Sequence, residues 1–263
     1  MGPVQSDAVG FPAACLAVDR SHLSGLLKRR SLWLLGLALV CTAGTGAEIK
    51  HVRAASPEAF ASAGLPLVLS ADVRELLAWL DRTGNHRGLP VVVVDKRAAL
   101  LWLFNGRLDK LGGTPVLLGL AHGDESVPGI GTKPLAEVAV TERTTPAGRF
   151  LVEPGINIHG EDIFWVDYDN AVSMHRLRAV NPAERRAQRM ASPRAADHRI
   201  TYGCINVPPT FYNRVLQPVL LEREALVYVL PEAMPLQRWL ERLGPTGTAL
   251  NTPGPTGTAL NTP

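Results

Sequence analysis

The chain has 263 residues, 46% hydrophobic and 19% charged, which is enough apolar material for a packed core and too little charge for a wholly disordered protein. That length leaves room for one large domain or two small ones. With 27 basic and 24 acidic residues the net charge is +3, which excludes the concentrated positive field of a dedicated nucleic-acid binder, and 24 glycines with 21 prolines favour turns and short strands over a helical bundle, coiled coil or collagen.

Residues 1–47 read as a signal peptide or signal anchor. Lys28, Arg29 and Arg30 stand directly before the apolar run 32–40, which is shorter than the ~20 residues of a membrane-crossing helix, and small residues follow it to Ala47. Cleavage after Ala47 would remove Cys15 and Cys41 and leave Cys204 as the single thiol of an exported chain, with no disulfide framework. The expected location is the periplasm or cell envelope, with membrane attachment only through an uncleaved signal.

Residues 48–84 read as a linker and a short helix over 72–82, where Val73, Leu76, Leu77 and Leu80 recur at helical spacing. Strands are expected at 91–94, 100–104, 116–120, 137–140, 149–152, 163–166 and 171–174. Hairpin signals lie at Asn105-Gly106 and at 167–170. The expected fold over residues 85–232 is therefore mainly β, sandwich- or barrel-like, with a few short helices. Within it, 176–199 carries seven arginines against Glu184 and Asp197 and reads as a basic insertion with a short helix at 183–190 and a solvated His198. A second helix is expected at 208–220, with Asn206 as its cap, before a last strand at 225–230. Residues 233–263 read as a short helix and a flexible tail in which the decapeptide GPTGTALNTP occurs twice.

The chemistry centres on Thr201-Tyr202-Gly203-Cys204-Ile205-Asn206-Val207-Pro208. A cysteine between a turn and a helix start would have its thiolate favoured by the positive helix end, and the N–H groups of Tyr202, Gly203 and Cys204 would serve as oxyanion donors. His175, at the end of a predicted strand, is the expected base, and His159 in Ile158-His159-Gly160 is its rival. The arginine run reads either as a solvated face or as a groove for substrate carboxylates. A zinc site from His159, His175 and Cys204 lacks any short-spaced ligand pair, so no metal is expected.

In order, a valine strand and apolar hairpin over 91–107, the signature Thr145-Pro146-Ala147-Gly148-Arg149-Phe150, a strand-terminal His175, and Gly203-Cys204 before a helix and a final strand resemble the L,D-transpeptidase catalytic domain of bacterial cell-wall enzymes. The resemblance spans roughly residues 89–230. It implies an exported β-rich domain whose cysteine attacks the carbonyl of the third residue of a peptidoglycan stem peptide. The terminal D-amino acid leaves, and an amine of a second stem, or water, resolves the thioester. On that basis Cys204 is the nucleophile and His175 the base, while Tyr202 and Gly203 shape the oxyanion site. Thr201, Asn206, Arg176 and Arg199 are the expected substrate-binding residues. No metal or organic cofactor is required, stem peptides are the partners in place of nucleic acid, and the enzyme is expected to be a monomer. The chain departs from the family pattern in three places: Tyr202 stands where histidine usually precedes Gly-Cys, Asn206 stands where arginine is common, and the insertion lengthens the separation of His175 and Cys204 to 29 residues. The Tyr202 hydroxyl is expected to stand in for the missing imidazole N–H. The alternatives are an L,D-carboxypeptidase, which hydrolyses the thioester, and a non-catalytic peptidoglycan-binding module that holds its ligand with the arginine-rich insertion.

Overall fold

The computed structural model describes residues 67–157, 159–178 and 181–245. The expected signal segment, most of the expected linker and the decapeptide repeat beyond residue 245 lie outside them.

Helix α1 (Ala71–Thr83) starts where Ser70 Oγ accepts the Val73 N–H, and stops at Gly84, whose left-handed conformation returns its N–H to the Leu80 carbonyl. Val73, Leu76 and Leu80 are fully buried on one helix face, in the same apolar core as the strands that follow. The helix is thus part of the domain and not a linker appendage.

The meander β1 (Val91–Asp95), β2 (Leu100–Phe104) and β3 (Lys110–Pro115) is antiparallel and begins as the valine run and the second apolar run predict. Asn105-Gly106 does reverse the chain, within a longer loop in which Asn105 Oδ1 accepts the N–H groups of Arg107 and Asp109. The returning strand is 110–115 and not 116–120. Its Gly112-Gly113 pair hides it from propensity, yet the glycine is required, since a Cβ on Gly113 would stand 2.3 Å from the Trp102 ring. Of the expected strand only β4 (Leu118–Gly119) remains. The expected strand 137–140 is instead two 3₁₀ turns, Leu135–Glu137 and Val140–Glu142, closed by the Glu142 carboxylate accepting from the Ala139 N–H and the Lys133 ammonium.

Next come β5 (Gly148–Leu151), β6 (Glu153–Ile156), β7 (Asp162–Asp167) and β8 (Val172–Arg176). The insertion folds as α2 (Arg186–Met190) and ends in β9 (Arg199–Thr201). Strand β10 (Ile205–Val207) leads into α3 (Pro209–Phe211), a π turn (Tyr212–Leu216) and α4 (Gln217–Glu222), and the chain closes with β11 (Leu226–Val229) and α5 (Leu236–Leu243).

The architecture is mainly β, in three sheets with a few short helices: β3-β2-β1-β11-β5, β10-β8-β7-β6, and the pair β4-β9. Three neighbouring pairs, β1 with β11, β8 with β10 and β4 with β9, are parallel. Strands from both larger sheets, α1 and α5 feed one core, so that Leu236, Trp239, Leu240 and Leu243 pack with residues far from them in sequence. The core therefore reaches past residues 85–232 on both sides.

Candidate active site

The site lies on the face of the four-stranded sheet that the core does not use. Side chains alternate along a strand, and the parallel register pairs Ile205 with Met174 and Asn206 with His175. Val172, Met174, Ile205 and Val207 join the apolar core. Ser173, His175, Cys204 and Asn206 therefore share the opposite face.

Cys204 occupies the position before β10, beside Ser173. The Ser173 hydroxyl donates to Cys204 Sγ at 3.6 Å, and the thiol donates to the Ala171 carbonyl at 3.5 Å. The turn that carries it is held from both sides. Thr201 Oγ1 donates to the Cys204 carbonyl (2.6 Å) and accepts the Gly203 N–H (3.2 Å); Thr145 Oγ1 donates to the Gly203 carbonyl (2.8 Å) and accepts the Gly119 N–H (2.9 Å). Gly203 has φ of 131°, and a Cβ there would meet the Thr144 carbonyl oxygen at 2.8 Å, so only glycine fits.

Two expectations about this turn are corrected. Cys204 is not at a helix start: residues 205–207 are a strand and the helix opens at Pro209, so the helix end lends no field to the thiol. The Gly203 N–H, one of three expected oxyanion donors, is committed to Thr201.

His175 Nδ1 faces the Arg176 carbonyl oxygen at 2.9 Å, and Nε2 faces Asn206 Nδ2 at 3.0 Å. His175 and Cys204 thus share a sheet face, with Ser173, two residues before His175 on β8, next to the sulfur and Asn206 next to the ring.

Asn206 is fully buried, with its carbonyl oxygen on Arg186 (2.8 Å), its amide on His175 and its backbone paired to Leu117. It is neither a helix cap nor an open substrate contact. Arg176 lies 4.2 Å over the Tyr212 ring and is engaged by Asp162 and Asn213, an anchor between β7, β8 and the π turn. Arg199 is buried against Glu232 and the carbonyls of Lys96 and Gly119, away from the polar quartet in its bonding. Thr201 is buried in the turn itself. Tyr202 is half-buried with the Arg143 guanidinium stacked 3.8 Å over its ring, so its described partner is a cation and not the thiol.

His159, the rival base, is exposed in the turn that joins β6 to β7. His198 is fully buried, not solvated: its ring nitrogens face the carbonyls of Val116 (3.0 Å) and Ser192 (3.1 Å) and moor the insertion to the sheets. Within the insertion, Arg189 and Arg194 are spent on its own backbone and on Asp197, which leaves little of the expected arginine-lined groove.

An ion network backs the turn. The buried Lys96 ammonium donates to Asp124 (3.0 Å), to the Thr145 carbonyl (3.0 Å) and to the Gly123 carbonyl. Asp124 also accepts the N–H groups of Glu232, Ala233 and Met234. Burial pushes the Lys96 ammonium down against the pull of both carboxylates. Burial acts to raise the Asp124 and Glu232 carboxyls, but their hydrogen bonds and neighbouring cations outweigh it and hold both below the usual carboxylate range. A cavity of about 420 Å³ opens beside this network, lined by Arg97, His122, Arg199 and Glu232 among others.

Sequence reasoning missed Ser173, Thr145 and Arg186 as parts of the site. For Ser173 the signal was available: Ser-x-His on a strand places both side chains on one face. Among the described residues, no cluster of three or more His, Cys, Asp or Glu could hold a metal ion.

No protein-family model matches the chain, and no curated protein matches it. Among solved structures, it is similar to the Bdellovibrio bacteriovorus protein Bd1075, at 15% identity and a TM-score of 0.33, over 54% of this chain. The match spans 47% of that protein, less than half its length.

Proposed function

We propose that the chain is an exported, cysteine-dependent acyl-transfer enzyme of the L,D-transpeptidase type, acting on peptidoglycan stem peptides. The observation that supports this most is the quartet Ser173, His175, Cys204 and Asn206 on one sheet face, with the thiol on a rigid glycine turn and a nearby imidazole whose hydrogen bonds fit a bare Nε2. In the proposed reaction Nε2 leaves Asn206 and takes the Cys204 proton as substrate seats, a tightening common to catalytic pairs that are loose without substrate. The sulfur bonds to the carbonyl carbon of the third stem residue while the Ser173 hydroxyl steadies its charge. The bond to the terminal D-amino acid breaks, its nitrogen takes the proton from His175, and a thioester remains. An amine of a second stem then attacks the thioester, and its proton passes through His175 to the departing thiolate.

Intact-mass spectrometry of the full chain and of Cys204→Ala, each incubated with a tetrapeptide stem fragment and with a carbapenem, tests the proposal. A covalent mass on the native chain alone is expected. A second reading, the non-catalytic wall-binding module, is favoured by one observation: the thiol is only 8% exposed and its proton already rests on Ala171. No adduct on a folded chain with a reduced thiol would overturn the acyl-transfer proposal and favour that reading instead. Release of free D-amino acid without a cross-linked product would assign hydrolysis over transfer.

A further inference from the structure

The hydrogen bonds around His175 have directions that can be deduced. Arginine carries donors and no acceptor, so the Asn206 atom facing Arg186 at 2.8 Å is the amide oxygen. The NH₂ group must then point the other way, at His175 Nε2, 3.0 Å distant. A nitrogen that faces a donor has to present its lone pair. On the far side of the ring, Nδ1 faces the Arg176 carbonyl, which can only accept, so Nδ1 has to carry the proton. Two one-way constraints from opposite sides of the imidazole agree on one neutral tautomer.

We infer that Arg186, through Asn206, is the positioning residue that holds His175 with its proton on Nδ1 and its lone pair on Nε2. Arg186 is itself fixed by Glu184, which accepts from its Nε at 2.5 Å, and both partners are partly buried. The line from Glu184 through Arg186 and Asn206 to His175 therefore begins in the insertion and ends at the ring. It gives that insertion a task in the site: without a donor-only group at position 186, the Asn206 amide could turn over and offer its oxygen to Nε2, which would draw the proton to the nitrogen needed as base. As a statement about the imidazole this stands by itself; its importance for catalysis rests on the acyl-transfer proposal.

Long-range ¹H–¹⁵N correlation spectra of the full chain with ¹⁵N-labelled histidine read the tautomer directly, with His175 assigned by its loss in His175→Gln. The native chain is expected to show the Nδ1–H form alone. Arg186→Met should add a population with Nε2–H, and Arg186→Lys, which keeps a donor-only group, should restore the native pattern at least in part. Asn206→Asp, which offers Nε2 only acceptors, should move the ring to Nε2–H even where Arg186→Met fails to fold. An Nε2–H native ring, or folded Arg186→Met and Asn206→Asp chains with the native tautomer, would overturn the assignment. In the carbapenem assay, Arg186→Met should slow adduct formation by about tenfold. No adduct on the native chain would defeat the acyl-transfer proposal and leave the tautomer result standing.

Discussion

The two larger sheets each contain a parallel pair of neighbouring strands, but they use them for opposite ends. In the five-stranded sheet, β1, β2 and β11 are buried at every position, and almost every side chain is Val, Leu, Phe, Trp or Tyr. Both faces are covered by apolar contacts. In the four-stranded sheet, β8 and β10 give one face to the core and the other to Ser173, His175, Cys204 and Asn206, polar groups that need partners in order to be buried at all. Those three strands of the first sheet bury an apolar side chain at nearly every position. The second accepts a fully hydrogen-bonded polar layer, and so obtains side chains fixed in direction as well as in place.

Substitutions in the two regions should therefore separate stability from thiol chemistry. The largest stability loss is expected for Phe150→Ala in β5, about 3–5 kcal/mol in chemical denaturation, with adduct formation on Cys204 retained wherever the variant is folded. Gly203→Ala should cost about 1–3 kcal/mol and abolish the adduct, because the new methyl group must push the turn off the Thr144 carbonyl. An adduct formed at the native rate would show that this turn does not place the thiol for acylation.

The ion network behind the turn adds a pH signature. Asp124 and Glu232 titrate below their ordinary values in the folded chain, so their contribution is present above about pH 4 and is lost as pH falls through the depressed folded values. Urea midpoints measured from pH 7 down to pH 3 should fall steeply in that window. Asp124→Asn should flatten the slope and cost about 1–3 kcal/mol at neutral pH. Ser173→Ala should cost about 0.5–1.5 kcal/mol, yet slow thiol acylation several-fold, since it removes the hydroxyl that donates to the sulfur. Arg194→Ala, which breaks only an exposed pair with Asp197, should change stability by less than about 0.5 kcal/mol and leave the adduct untouched.

Where local pattern and tertiary structure agreed, the sequence was legible. The valine run of β1, the apolar run of β2, the hairpin around Asp167 to Asn170 and the face of α1 all carry their periodicity openly. Strand β3 was hidden because its glycines make room for Trp102, a reason located on another strand. The segment 137–140 looked like a strand until Glu142 closed it into a turn. Cys204 and His175 could be singled out from their neighbours in sequence. The contacts of the residues around them could not, because Asn206 reads as a cap or a substrate contact, Arg176 and Arg199 as substrate-binding cations and Arg186 as one charge in a run. Each was assigned by a contact at least 14 residues away in sequence.

The parallel pairing of β8 with β10 also bears on how the protein folds. Parallel neighbours cannot be joined by a tight turn; the chain must cross over, and the stretch between them does so through α2 and β9. The Ser173–Cys204 contact spans 31 positions and the Thr145–Gly203 contact spans 58. Loops of that size close late relative to the hairpins β1–β2 and β7–β8. During refolding from denaturant, the thiol should stay open to a fast alkylating reagent after the hairpins have formed, and become shielded only in the last kinetic phase, when the crossover locks.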